Sequence, residues 1–163
     1  MKLDSMSDLY VSELRDMYNG EKQLIKALPK MAKAASTEEL RMAIEEHLQQ
    51  TQNHVSRLET IFRSLDEKPG GETCEAMQGL VTEGEEVLKA DGEDAVRDAG
   101  LIMAAQKVEH YEMATYGSLR EFAHLLNRED DADLLQQTLD EEKAADKRLN
   151  EIAEQVVNKR ALA

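Results

Sequence analysis

The sequence predicts an all-α protein, a single four-helix bundle built from two helical hairpins that a crossover segment joins. Its 163 residues include no Trp, two Phe and two Pro, whereas strong helix formers such as Ala, Leu, Glu and Lys dominate. Apolar residues also recur every three to four positions along four long stretches. At this length we expect one domain that spans residues 1–163.

The first long helix is predicted from about Ser7 to Ala35, with Ser5 or Ser7 as its N-cap. Pro29 falls inside this stretch and is expected to bend the helix without ending it. One side of the helix is apolar except for a single acid, and its positions are Leu14, Met17, Glu21, Leu24, Leu28 and Met31.

The second helix is predicted to begin at a capping box, in which Ser36 caps the helix and Glu39 reaches back to it. It runs to about Leu65. Its inward side is apolar at both ends and polar in the middle, and its positions are Leu40, Ala43, His47, Thr51, His54, Leu58, Ile61 and Leu65. The core is therefore expected to have a central polar layer.

The segment from Asp66 to Asp98 is predicted to be the crossover. Pro69 and the two glycines after it break the chain, and eleven acids against three bases make the segment strongly acidic. Weak helical periodicity from Glu75 to Lys89 predicts a short extra helix. A connection of this length lets the second and third long helices run parallel.

Two further long helices are predicted to form the second hairpin. The third helix runs from about Asp94 to Leu126, and its inward positions are Ala99, Ile102, Ala105, Glu109, Glu112, Tyr116, Leu119 and Leu126. The fourth runs from about Asp131 to Val157, and its inward positions are Leu135, Thr138, Glu142, Ala145, Leu149, Ile152 and Val156. Acids again interrupt both apolar stripes near the middle.

The two hairpins resemble a worn internal repeat that brings these polar positions to one level. Glu21 and His54 are 33 residues apart, and so are Glu109 and Glu142. Since an α-helix rises about 1.5 Å per residue, a turn midway between each pair returns the chain to the same height. Glu21, His54, Glu109 and Glu142 are therefore predicted to meet inside the bundle.

Convergent acids of this kind predict a pair of metal ions. A single inward Glu usually lies at the edge of the core with its carboxylate in solvent, but several buried together are costly unless they are protonated, paired or metal-bound. Carboxylates with imidazole suit iron, manganese or zinc. We expect a di-metal centre, iron first, held by Glu21, His54, Glu109, Glu112 and Glu142.

The remaining histidines are assigned structural positions. His47 lies two turns before His54 on the same side, and it is interpreted as a core-edge histidine that hydrogen-bonds Glu112 or Thr138 rather than as a ligand. His110 and His124 point away from the inward stripe and are predicted to be exposed.

Two more polar residues lie beside the predicted site. Tyr116 is interpreted as a core residue that hydrogen-bonds a carboxylate, not as a redox tyrosine. Asp146, one turn after Glu142, is left open as either a ligand or a solvated flank.

Composition excludes several classes of function. The formal net charge of −14 and the lack of a basic cluster argue against nucleic-acid binding. No stretch approaches about 20 apolar residues, and the N-terminus lacks a signal-peptide core, so no membrane segment is expected. A lone Cys74 forms no internal disulfide. We therefore expect a cytoplasmic protein.

Four stretches carry a resemblance to a known family: LRDMYNGEKQLIKALPKMAKA, IEEHLQQTQNHVSRLETIF, RDAGLIMAAQKVEHYEMATYGSL and LLQQTLDEEKAADKRL. They resemble the YciE/YciF family of small bacterial stress-associated proteins, which belongs to the ferritin-like superfamily. The resemblance covers essentially the whole chain. It implies a ferritin-like bundle with a crossover helix, a homodimer and a carboxylate-rich metal site, but little about a reaction.

The resemblance transfers the superfamily's ligands only in part. That pattern has one Glu on each first helix of a hairpin and a Glu-x-x-His on each second helix. Glu21 and Glu109 match the lone acids, and His54 matches the first histidine. Thr51 stands where the partner Glu of His54 would be, and Ala145 stands where the histidine after Glu142 would be. Two of six ligands are thus expected to be missing, with Glu112 as a replacement for one.

Three functions remain open from the sequence. The chain could be a di-metal redox protein that consumes peroxide or oxygen, with Glu21 and Glu109 bridging the ions and His54 and Glu142 as terminal ligands. It could bind or sequester iron without turnover. It could also be a structural or interaction protein with a vestigial site. The missing ligands favour metal binding over catalysis.

Overall fold

The computed structural model describes residues 3–163, and every regular element in that range is helical. Five helices form the bundle and its crossover, and a π-helical turn followed by one short helix ends the chain. Their bounds are α1 Met6–Ala34, α2 Glu38–Ser64, α3 Glu75–Lys89, α4 Asp94–Leu125, α5 Glu129–Ile152, the π-turn Ala153–Val157 and α6 Asn158–Leu162. The predicted all-α fold with a short crossover helix is confirmed.

The two hairpins pack side by side, and contacts at their ends fix the direction of each helix. At one end Tyr10 of α1 donates to Asp131 of α5 at 3.3 Å. At the other end Arg160 of α6 donates to Thr37, just before α2, at 3.0 Å. The crossover begins beside α1 and ends beside Thr37, so it spans the length of the bundle. As predicted, α2 and α4 run parallel.

Helix α1 follows its sequence pattern closely. Ser5 is the N-cap, and its hydroxyl accepts a hydrogen bond from the Asp8 amide at 3.1 Å. Pro29 lies inside the helix, which continues for five residues beyond it. The six positions predicted to face inward are all buried, so the periodicity located the correct side of the helix.

The predicted capping box at the start of α2 is wrong. The N-cap is Thr37, whose side chain makes no capping hydrogen bond. Asp98 of α4 takes this role, because its carboxylate accepts from the backbone amides of Ser36 and Thr37 at 2.9 and 2.8 Å and from both hydroxyls. Burial opposes the charge on Asp98, but the bonds from Thr37 and Ser36 lower its pKa. A tertiary contact has replaced a local one.

The last helix departs from the predicted pattern near its end. We expected one α-helix to Val157 with Val156 facing inward, but Ala153–Val157 form a π-helical turn. A π-turn inserts one extra residue into the helix, so the buried position moves from Val156 to Val157. Tertiary packing of the final turns therefore follows a shifted register.

The buried core is apolar at both ends of the bundle and polar in the middle. Tyr10, Leu14 and Phe62 fill one end, and Leu40 and Leu101 lie toward the other, each at most 1% exposed. None of the helices within residues 3–163 has both the length and the apolar character needed to cross a membrane. The central layer between the two apolar ends is where chemistry is expected.

Candidate metal centre

Six ionisable side chains from all four long helices lie in the central layer, and we call these six the cluster. They are Glu21 of α1, His47 and His54 of α2, Glu109 and Glu112 of α4, and Glu142 of α5. Each is at most 6% exposed. The structure therefore brings together the five residues predicted as ligands, and it adds His47.

The cluster divides into two overlapping groups of donor atoms. His47, Glu109, Glu112 and Glu142 form one group, which we call the His47 side, and Glu21, His54 and Glu142 form the other, the His54 side. Within each group the nitrogen and oxygen donors all lie within 4.8 Å of one another. Glu142 belongs to both, so its two oxygens connect the groups.

On the His54 side, a hydrogen bond to a carboxylate outside the cluster orients the imidazole. Its Nε2 lies 2.8 Å from Glu141 Oε2, and since a carboxylate only accepts, this nitrogen donates its hydrogen outward. Arg57 in turn donates to both oxygens of Glu141 at 2.8 Å. His54 Nδ1 then faces Glu142 at 2.9 Å and Glu21 at 3.4 Å. Such a carboxylate behind a histidine is how proteins orient metal ligands.

On the His47 side, the imidazole has no such support. His47 Nε2 lies 3.2 Å from Glu109 and 3.9 Å from Glu142, yet neither ring nitrogen makes a well-directed hydrogen bond. The expected bond to Glu112 or Thr138 is absent, and Thr138 instead accepts from Arg57 at 3.1 Å. The interpretation of His47 as a structural core-edge residue is therefore wrong in its partners, because the ring points into the cluster.

The two histidines are closer than their spacing along the helix suggests. Seven residues correspond to about 10 Å of helix rise, but the two ring centroids are only 6.4 Å apart. Their side chains must lean toward each other to close this gap. His47 thus belongs to a second group of donors, which lies next to the group that contains His54.

Several buried oxygens of the cluster make no well-directed hydrogen bond. They are one oxygen each of Glu21 and Glu109 and both oxygens of Glu112 and Glu142. Leaving buried polar atoms unpaired costs about 1–3 kcal/mol each, and folded proteins rarely tolerate so many in one place. Divalent cations would satisfy these atoms, and oxygen with imidazole donors suits iron, manganese or zinc. The donor set fits a metal site.

Proton sharing stabilises part of this charge without metal. Burial alone would lower the pKa of His54, but the close carboxylates of Glu142 and Glu21 outweigh it and raise the pKa to about 10. Burial likewise opposes the charge of Glu142, yet His54 lowers its pKa to about 2. Burial, followed by the charge of Glu142, raises the pKa of Glu109 and Glu112 well above the ordinary value. The metal-free cluster therefore contains protonated groups.

Residues beside the cluster largely match their predicted positions. Tyr116 is buried, and its hydroxyl donates to Glu21, as expected of a core tyrosine bonded to a carboxylate. His110 and His124 are exposed. Asp146 accepts from Gln106 at 3.2 Å and belongs to neither group of donors.

The two superfamily ligands that were expected to be missing have no counterpart at their own positions, but other residues add donors to the cluster. Thr51, at the position of the absent Glu, donates to the His47 carbonyl and offers the cluster no carboxylate. Glu112 and His47 bring the set to four carboxylates and two imidazoles from different positions. The signal for His47 was its place on the same helical side as His54, seven residues away.

Comparisons with known proteins agree with this fold. The chain is 43% identical over 162 residues to protein YciF of Escherichia coli strain K12. The aligned region covers 99% of this chain and 98% of YciF. The crystal structure of the E. coli stress protein YciF superposes with a TM-score of 0.93 at 42% identity, covering 96% of this chain and 99% of that one.

Two other solved structures extend the comparison. A putative structural protein from Rhodopseudomonas palustris superposes with a TM-score of 0.88 at 40% identity, covering 92% of this chain and 97% of that one. A two-domain protein from Anabaena variabilis, with DJ-1/ThiJ/PfpI-like and ferritin-like domains, matches with a TM-score of 0.62 at 17% identity, covering 95% of this chain and 38% of that one. The similarity to the Anabaena protein concerns the fold alone.

The predicted resemblance to YciE/YciF proteins and the ferritin-like fold class are thus confirmed. Residues 5–162 match the family described as domain of unknown function, DUF892. With this match over nearly its whole length and YciF as a full-length relative, the chain belongs to the DUF892 family.

Proposed function

We propose that this protein is a stress-associated, ferritin-like protein that binds two metal ions, preferably iron, in the central layer of its bundle. The observation that carries the proposal is the set of six buried donors, four carboxylates and two imidazoles, with unpaired oxygens directed at one another. The stress association rests on the similarity to YciF, which is described as a stress protein.

The ligand roles follow from the two overlapping groups. His47, Glu109 and Glu112 would hold one ion, Glu21 and His54 would hold the other, and Glu142 would bridge them. This assigns the bridge to Glu142, whereas the sequence pattern assigned it to Glu21 and Glu109. Glu141 and Arg57 would orient His54, and the Tyr116 hydroxyl would hold one oxygen of Glu21.

Bound iron would supply one-electron chemistry toward peroxide or oxygen. The chain's own contribution is to exclude water from the donors, to fix their positions and to hold protons on Glu109 and Glu112 that metal binding releases. Iron sequestration without turnover uses the same ligands. A structural protein with a vestigial site is the alternative, in which the cluster keeps its protons and takes up no metal.

Metal analysis distinguishes these functions. We expect about two ions per chain after anaerobic loading with ferrous iron, and a loss of about one of them in Glu109→Gln, whose carboxylate belongs to only one donor group. The exposed Glu121 of the same helix provides the matched control Glu121→Gln, which should load as the parent does. Failure of the parent to bind iron, manganese or zinc would leave the structural alternative.

A second measurement separates redox chemistry from storage. Peroxide is added to the loaded protein, and ferric iron is followed by its absorbance. A redox protein is supported if peroxide oxidises the iron stoichiometrically and a reductant reverses this over repeated cycles. Sequestration is supported if the iron is oxidised once and the ferric iron stays bound. The homodimer implied by the family resemblance stays a prediction, and sedimentation equilibrium of the purified protein tests it.

A further inference from the structure

A cavity of about 330 Å³ connects the surface to one side of the cluster. It lies between α2 and α5, with Leu28 and Ala105 contributed by the neighbouring helices. Its walls are mostly apolar, and His47 and Glu109 of the cluster are part of its lining. Neither Glu21 nor His54 lines it.

The exposure of the cluster is confined to this cavity. His47 is 6% exposed and Glu109 is 2% exposed, while Glu21, His54, Glu112 and Glu142 are completely buried. The two cluster residues with any accessible surface are thus the two that line the cavity, although both ring nitrogens of His47 and Oε2 of Glu109 are themselves buried. A comparable groove of about 310 Å³ between α1 and α4 includes no member of the cluster. The side of the cluster that lies nearest to solvent is therefore the His47 side.

Small side chains keep the cavity open. Ala144 and Ala145 line it on α5, two and three residues after Glu142, and Ala43 lines it on α2. Exposed charged residues of both signs, Glu46 and Arg148 among them, form its outer part. A space of this volume holds about ten water molecules, which suits a hydrated ion or a ligand of a few atoms.

We propose that this cavity is the entrance through which divalent ions and small inorganic ligands, of the size of peroxide or azide, reach the cluster on its His47 side. This inference rests on the proposed metal centre, and it adds the side from which ions and ligands enter the cluster. Ligands from solvent meet the ion held by His47 and Glu109, while the ion on the His54 side stays shielded. Ala145 is the residue that keeps the entrance wide.

The test fills the cavity with a large side chain and measures how fast a metal ion enters and how tightly a small ligand binds. Cobalt(II) is added to metal-free Ala145→Phe, and its uptake is followed by visible absorbance, after which azide is titrated into the loaded protein. We expect uptake at least about tenfold slower and azide affinity at least about tenfold weaker, with the same final cobalt content as the parent. Ala114→Phe is the matched control, because Ala114 lines the groove between α1 and α4.

Each outcome decides the proposal. Parental uptake rate and azide affinity in Ala145→Phe would overturn it, and so would equal slowing in Ala114→Phe, since bulk alone would then be the cause. If Ala145→Phe does not fold, Ala145→Leu replaces it and should give a smaller slowing in the same direction. A parent protein that takes up no cobalt, iron or manganese overturns the metal centre itself, whereas normal loading through a filled cavity overturns only the entrance.

Discussion

The two sides of the cluster are built from the same residue types but differ in support and access. His54 is fully buried and is held by Glu141, which Arg57 holds in turn. His47 has no hydrogen-bond partner on either nitrogen, and it lines a cavity open to solvent. If the cluster binds metal as proposed, we expect the supported, fully buried side to retain its ion and the side next to the cavity to exchange ligands.

Removing the residue common to both sides is expected to have the largest effect. Glu142→Ala takes away a donor from each group at once, so the content after iron loading should fall from about two ions per chain to nearly none. Asp133→Ala, an exposed position on the same helix, is the control. Elemental analysis after gel filtration measures both proteins. Full occupancy in Glu142→Ala would show that the two sides do not share this carboxylate.

Replacing one histidine at a time is expected to remove one ion at a time. Both His47→Ala and His54→Ala should retain about one ion per chain, because each variant disrupts only one group. His54→Ala should also lower the free energy of unfolding of the metal-free protein by about 1–3 kcal/mol, since it leaves buried partners unpaired. Metal content and urea unfolding check both variants. Loss of both ions from either variant alone would mean that the sides fill cooperatively.

Weakening the support of His54 is expected to affect one side only. Glu141→Gln removes the negative charge behind the imidazole, and such changes lower metal affinity by about 10- to 100-fold. In a cobalt titration the binding constant of the His54 side should therefore drop while the ion on the His47 side binds as before. Asp140→Asn, at the exposed preceding residue, serves as the control. An equal loss at both constants would contradict the independence of the two sides.

The smallest expected effect is on the stability of the metal-free protein. Because burial and the charge of Glu142 raise the pKa of Glu109 above its ordinary value of 4.5, the folded chain holds a proton that the unfolded chain releases. The stability due to this proton is present below pH 4.5 and is lost as the pH rises toward the folded pKa. Glu109→Gln should therefore be as stable as the parent or more stable, with the margin increasing from pH 5 to pH 8. Urea unfolding of both metal-free proteins at these pH values tests this, and a margin that shrinks with pH would refute the assigned charge state.

Sequence periodicity was sufficient to predict the bundle and most of the cluster. Helical spacing places Glu21, Glu109, Glu112 and Glu142 on apolar stripes, and each of these side chains is buried. The equal 33-residue spacings predicted the common level, because the rise of an α-helix is nearly constant. Counting along the axis misjudged His47, since the direction in which a side chain leans depends on its neighbours and not on its position along the helix.

The other wrong predictions have the same origin in tertiary contacts. The sequence did not single out Glu141, because this residue lies off the inward stripe. Its side chain is 30% exposed, yet it accepts a hydrogen bond from His54. The capping box at Ser36 failed because a carboxylate from another helix accepts from the amide and hydroxyl of Ser36 that the box would have used. Local patterns could not reveal either interaction, since both join residues more than sixty positions apart.

The Asp98 contact also has a consequence for how the chain folds. The amides of Ser36 and Thr37, just before α2, are satisfied by Asp98 in the other hairpin, and unpaired amides at a helix end lower its stability. The first hairpin on its own would lack these bonds at the N-terminal end of α2. We therefore expect the two hairpins to fold as one cooperative unit despite their repeat-like design.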